Sequence, residues 1–231
     1  MIGPFFKFIW YFKFNHAKIY LGAFMNLDIK INCHSSICIN EFYYIDPFKI
    51  EKKTNNAKII FITHPHFDHL DMSSIKKLVN SDTIIVCTDS SKEIIQKELA
   101  NKIIVVSPNL KGNIENVEYS TFPAYNYGHH HFKELGYVGY NLTIDNIKYT
   151  ICGDTDATEE LKQIKTDVLL VPIGGTYTMD AKEAAVLTNI ISPKVAIPTH
   201  YNCIEGTAKK DAEKIFIDNV IKKIEVSVKI K

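Results

Sequence analysis

The chain has 231 residues, is 46% hydrophobic and 23% charged, and carries a formal net charge of +1. That balance excludes a globally disordered chain and provides no bulk field to attract nucleic acid or an acidic partner. The length suits one large α/β domain or two small ones.

Residues 1–24, MIGPFFKFIWYFKFNHAKIYLGAF, are aromatic and basic. Lys7, Lys13 and Lys18 interrupt the apolar run before it reaches the ~18 residues of a spanning helix. No small-residue cleavage site is present. We read this stretch as an N-terminal extension outside the fold, with an interfacial anchor as the alternative. The domain is then 25–231. From Leu27, LDIKINC alternates apolar and polar residues as a strand does, and SICINEFYYIDPF reads as a second strand ended by Asp46-Pro47. AKIIFITH is a short β-branched run, a buried strand. SSIKKLV after Asp71 has helical spacing with caps at hand. TIIVCT is a strand and SSKEIIQKELA a helix.

KIIVVSP and NVEYSTFPAY look extended. GYVGYNLTIDNIKYTICGD reads as two strands around a two-residue turn at Asp145-Asn146. TDVLLVPIGG is a buried strand, and DAKEAAVLTNII a helix with Asp180 and Glu183 spaced as a capping box. KVAIPTH is a strand, AKKDAEKIFIDNVIKKI a helix, and EVSVKI a last strand. The pattern predicts two packed sheets with helices outside. The five cysteines form no CxxC pair, which fits a reduced, cytoplasmic location. They read as small buried hydrophobes, although Cys203 stands close to His200.

The chemistry gathers at strand ends. His64 and His66 are two residues apart, and in extended backbone such residues point the same way. Pro65 stiffens the segment between them. Asp68 and His69 follow after a turn, within reach of a second ion. Asp154 follows strand YTIC, and His200 closes strand VAIP. Neutral imidazole with carboxylate suits zinc best, and iron or manganese also. Two such ions ~3.5–4 Å apart form a hydrolytic centre. Metal lowers the pKa of bound water towards ~7, so hydroxide exists at neutral pH. A single strand-end histidine is usually a hydrogen-bonded structural group, but the HxHxDH pattern with a later Gly-Asp and Thr-His favours metal.

Through THPHFDHLD (63–71), GDTD (153–156) and PTHYN (198–202), the chain resembles the metallo-β-lactamase superfamily. HSS (34–36), YIDPF (44–48), PAYN (123–126) and VPIGGTYTMD (171–180) make it look like the small metal-dependent hydrolases related to ascorbate-6-phosphate lactonase. The resemblance runs from about residue 25 to the C-terminus and says little about substrate. It implies an α/β fold of four layers, an αββα sandwich of two mixed sheets with helices outside and the metals at one edge. It implies that His64 and His66 hold the first metal, that Asp68, His69 and His200 hold the second, and that Asp154 bridges them. Asp68 would also orient the metal-bound water, so Asp68, His66 and Asp154 carry catalysis.

The family has a further histidine on the first metal, where this chain has Asn126 followed by His129, His130 and His131. Either Asn126 replaces that ligand or one histidine swings in. His131 is our choice, because HFKELGYVGY looks like a repeated feature of this subgroup. On the substrate side, Thr176 and Tyr177 either contact substrate or pack their loop, where Gly174 and Gly175 permit unusual backbone angles. Lys133 is a candidate anion contact. His34 either orients a metal ligand by hydrogen bonding or stabilises its own turn.

The expected function is a metal-dependent hydrolase acting on a small ester, lactone or phosphodiester. The alternative is a non-catalytic metal-binding or ligand-sensing protein on the same fold. An RNA-processing nuclease ranks below both, since no basic exosite or clamping insertion stands out. A flavo-diiron role would need an attached flavin domain, and a true β-lactamase a secretory signal. The expected partner is a small molecule, with no nucleic acid and no stable membrane insertion. The oligomeric state is open, a homo-oligomer included.

Overall fold

A computed structural model describes residues 27–128, 130–204 and 211–229. The extension expected at 1–24 lies outside them, as does His129. The first sheet contains β1 (Ile29–Ile31), β2 (Ile37–Ile39), β3 (Tyr43–Ile45), β4 (Ile59–Phe61), β5 (Ile84–Cys87) and β6 (Lys102–Val105), side by side in chain order. β1 to β3 run antiparallel, and β3 to β6 are parallel.

The second sheet is built of β7 (Lys111–Ile114), β8 (Val117–Pro123), β9 (Val138–Ile144), β10 (Ile147–Ile151), β11 (Val168–Pro172), β12 (Val195–Thr199) and β13 (Glu225–Val226). Its first four strands form an antiparallel meander, and β10 to β13 are parallel. Both sheets are thus mixed. The helices are α1 (Met72–Leu78), α2 (Asp89–Ile95), α3 (Glu159–Lys162), α4 (Ala181–Ile191) and α5 (Asp211–Asn219).

The β-branched runs dictate the layering. Along β4 and the residue after it, Ile59 and Phe61 enter the core shared with the second sheet, while Ile60 and Ile62 face the core under α1 and α2. Val86 and its neighbours Ile85 and Cys87 divide the same way. A strand apolar on both faces can only be an interior strand, and each buried Ile contributes roughly 1.5–3 kcal/mol. The Tyr140 hydroxyl of β9 donates to the Ile62 carbonyl at 2.8 Å, tying the sheets together just before the histidine loop.

Local signals held in several places. Asp145 and Asn146 have φ of 50° and 63°, the positive pair a two-residue hairpin requires. Asp180 and Glu183 make both halves of the capping box of α4, and Asp71 caps α1 by accepting from the Ser73 N–H. SICINEFYYI is a hairpin of two strands, not the single strand expected. Asn40 and Glu41, at φ of 49° and 64°, turn the chain, and Glu41 is a residue that does not advertise a turn. No helix among the described residues is long and apolar enough to cross a membrane.

Candidate metal centre

The parallel strands β4, β10, β11 and β12 deliver their following loops to one edge, where ligands of such sheets bind. After β4 the chain turns sharply: the His69 and Leu70 N–H groups both donate to the His66 carbonyl, at 3.0 and 2.8 Å. The turn brings His69 back beside His64, with ring centroids 4.0 Å apart. Gly153, at φ 66°, turns the chain after β10 and presents Asp154. His200 follows β12 at φ 59°, and its N–H donates to the His34 carbonyl at 3.1 Å. His34 has φ 55°. Left-handed backbone at such residues costs about 1–3 kcal/mol each and is held only where its surroundings enforce it.

Three groups of side chains have ligand atoms within 4.8 Å of one another: His64, His66 and His131; His34, Asp68, His69 and His200; and His64, His69 and Asp154. Asp154 lies among them, with Oδ1 3.2 Å from His69 Nε2 and Oδ2 3.0 Å from His200 Nε2 and 3.9 Å from His64 Nε2. These approaches lack hydrogen-bond geometry: Nε2 of His64, His69 and His200, Nδ1 of His131 and Oδ1 of Asp154 are buried without a partner. Unpaired buried polar atoms are costly, and here they converge. The donor set fits divalent metal.

Electrostatics prepares the set. Burial pushes the pKa of His64 well down and those of His34 and His131 down to about 4, so these imidazoles are neutral at pH 7. Neutral imidazole is the ligating form. Burial opposes ionisation of Asp154, but His200 and His69 outweigh it and hold the carboxyl well below its usual range. Asp68 is likewise held down against burial by its hydrogen bond with His34 and by the nearby His69 ring. Burial opposes the charged form of His69 too, yet Asp154 and Asp46 raise its pKa well above an ordinary imidazole's.

His64, His66, Asp68, His69, His131, Asp154 and His200 therefore reach one edge. Asn126 braces the loop that carries His131: its N–H donates to the His131 carbonyl at 2.8 Å, and Nδ2 donates to Asp156 Oδ1 and the Tyr177 carbonyl, both at 3.0 Å. Thr176 and Tyr177 line a cavity of about 560 Å³ over the cluster, together with His66, Asp68 and His200.

On the substrate side the structure separates Lys133 from His34, which instead stands behind Asp68, a candidate metal ligand, as the orienting reading expects. Lys133 does not line this cavity, because its ammonium pairs with Glu160 and lies over the Tyr125 ring. His34 is fully buried, out of reach of substrate, with Nε2 3.1 Å from Asp68 Oδ2. Its N–H donates to Cys203 Sγ at 3.0 Å. Gly174 does not have the positive φ expected of it; it is required instead because a Cβ there would lie 2.3 Å from the His200 carbonyl oxygen and 2.8 Å from His200 Nδ1.

One residue of consequence was not picked out from the sequence. Asp46, 1% exposed, accepts from Thr63 N–H at 2.8 Å and Thr63 Oγ1 at 2.7 Å, and its Oδ2 lies 2.8 Å from His69 Nδ1. The available signal was an aspartate closing an apolar strand directly before proline, with no surface role to explain it.

Two mixed sheets with a histidine-aspartate cluster at their common edge define a metallo-β-lactamase fold. Residues 36–200 match the family described as "Beta-lactamase superfamily domain". A UPF0173 metal-dependent hydrolase of Thermoplasma volcanium is 30% identical over 78% of this chain and 86% of its own. Another, from Saccharolobus solfataricus, is 28% identical over 68% of this chain and 71% of its own. Among solved structures, a protein assigned as a metal-dependent hydrolase from Parabacteroides distasonis superposes with a TM-score of 0.70 at 27% identity, over 89% of this chain and 94% of that one. Igni18, a metallo hydrolase from Ignicoccus hospitalis, shares the fold with a TM-score of 0.69 at 20% identity, over 87% and 94%. The chain belongs to the beta-lactamase superfamily and, within it, to the UPF0173 metal-dependent hydrolases.

Proposed function

We propose that this metal-dependent hydrolase cleaves an ester, lactone or phosphodiester bond of a small molecule at a two-metal centre, with zinc the metal its donor set suits best. His64, His66 and His131 would hold one ion and Asp68, His69 and His200 the other, with Asp154 placed between the two groups. The observation that carries this reading is the convergence of buried, unpartnered imidazole nitrogens and a carboxylate oxygen on one edge. The likeness to ascorbate-6-phosphate lactonase belongs to the same proposal.

The metals, when bound, supply an acidified water and polarise the scissile bond. The chain supplies the rest. Asp68 borders the cavity with a held-down pKa, so it stands ionised to accept a hydrogen bond from the attacking water and orient it. His34, donating from Nε2, fixes the carboxylate that does this. Asp46 fixes the ring of His69 from behind. His66, exposed at the cavity wall, would hold the first ion from the side open to the cavity.

Elemental mass spectrometry of protein purified without added metal tests the reading. About two equivalents of one metal, reduced in both His64→Ala and Asp154→Ala, are expected. One equivalent or none, unchanged by the variants and not restored by added metal, would overturn it.

A further inference from the structure

We infer that the substrate is uncharged beyond its scissile bond and carries an apolar group, an alkyl or aryl ester or lactone, gripped between Phe67 and Tyr177. This rests on the two-metal reading and narrows it.

Phe67 sits between His66 and Asp68, so the chain fixes it at the mouth of the cavity over the metals. It is 68% exposed and lines the cavity. Its ring is not a loose end: it packs edge-to-face on Phe48, with centroids 6.0 Å apart. A large apolar ring held open to solvent beside a metal centre is a recognition surface in waiting.

Tyr177 also lines the cavity and is 46% exposed. Its φ is 63°, which a bulky residue rarely adopts. Asn126 Nδ2 holds its carbonyl, and its ring packs against His130 with centroids 4.2 Å apart. The loop thus keeps an aromatic side chain in left-handed backbone at the site, where only glycine would sit without cost.

Charge argues the same way. No lysine or arginine among the described residues lines the cavity. Lys133 is committed to Glu160, and Lys49 donates to the Cys203 carbonyl at 3.1 Å while lying over the Phe48 ring. A phosphate or carboxylate remote from the reacting bond is ordinarily met by such cations. Among the described residues that line the cavity, none offers an ammonium or guanidinium to a second anion. The reaction is then plain hydrolysis. The water oxygen bonds the acyl carbon, the C–O bond to the alcohol breaks, one water proton passes to the departing alkoxide, and no electrons are exchanged with another reactant.

The test uses three hydroxamic acids, whose common head group engages metal and whose tails differ. Acetohydroxamic, octanohydroxamic and succinohydroxamic acids are titrated by calorimetry into the metal-loaded full chain and its Phe67→Ala and Tyr177→Ala variants, with metal content measured on each sample. Octanohydroxamate should bind about tenfold or more tighter than acetohydroxamate, because its extra methylenes leave water. Each variant should shrink that ratio at least threefold, roughly the loss expected when one wall of an apolar site is removed. Succinohydroxamate, with its remote carboxylate, should bind no tighter than acetohydroxamate. A flat series, an unchanged ratio in both variants, or preferred succinohydroxamate, with metal retained, would overturn the inference alone. Absence of metal and of all hydroxamate binding would sink the two-metal reading and this inference with it.

Discussion

Asp46 Oδ2 lies 2.8 Å from His69 Nδ1, so a carboxylate from the end of β3 fixes the ring of a candidate ligand from the loop after β4. The same aspartate accepts from both the N–H and the hydroxyl of Thr63, so it also sets where that loop begins. Carboxylates behind a ligating histidine fix its tautomer and raise its basicity. Asp46→Asn should therefore lower metal affinity about 10–100-fold while the far-ultraviolet dichroism stays that of wild type. Competition against a chromophoric chelator reads the affinity. Wild-type affinity in the variant would reduce Asp46 to a turn residue.

His69 lies buried between Asp46 at 2.8 Å and Asp154 at 3.2 Å. Burial disfavours its charge, but the two carboxylates raise its pKa well above 6.5 in the metal-free protein. The sign follows from linkage: its contribution to stability is complete below the unfolded value of 6.5 and is lost as pH rises through the raised folded value. Metal needs the neutral ring at Nε2, so loading at pH 7 must displace a proton. Calorimetry in two buffers of different ionisation enthalpy should show about one proton released by His69 per chain, and affinity should rise with pH. Release should shrink in Asp46→Asn, where one of the two carboxylates is gone. Unchanged release in that variant would assign the proton elsewhere.

How far the sequence carries the reader depends on the range of the interaction. Asp145-Asn146, the Asp180–Glu183 box and the β-branched run of β4 act over a few residues, and their structure follows their spelling. The HxHxDH loop is legible because one strand end and one turn hold four ligand-type residues. Asp46 was not, because its work is done 23 residues away at His69. Lys133 misled for the same reason: Glu160, 27 residues on, takes its ammonium. The strand β7, written KGNI, carries almost no apolar signal, and its register against β8 sets it.

Tyr140 offers a test of the joint between the sheets. Its hydroxyl is fully buried and donates to the Ile62 carbonyl at 2.8 Å, two residues before His64. Tyr140→Phe keeps the ring in the core and strips the carbonyl of that donor. A buried acceptor left unmet costs roughly 1–3 kcal/mol, so the urea midpoint should fall with the slope unchanged. Metal stoichiometry should hold, since the ligands do not depend on the hydroxyl. A midpoint equal to wild type would mean that water or a neighbour replaces the bond.

Gly174 and Gly175 are adjacent but should answer differently to alanine. A Cβ at Gly174 would lie 2.3 Å from the His200 carbonyl oxygen and 2.8 Å from its Nδ1. The first of these is backbone, and His200 is itself held at φ 59°, so the histidine has to move. Overpacking of this kind costs typically 1–3 kcal/mol, and here it falls on a candidate ligand of the second ion. Gly174→Ala should therefore lose metal from that site as well as stability. At Gly175 the nearest side-chain neighbour of a Cβ would be Asp180 Cβ at 3.7 Å, an ordinary contact, and only its φ of 74° is strained. Gly175→Ala should cost about 1–2 kcal/mol of backbone strain and keep both metals. The pair separates a glycine that makes room for His200 from one that merely turns the chain. Equal metal loss in both variants would show that the whole loop, not the contact with His200, governs the site.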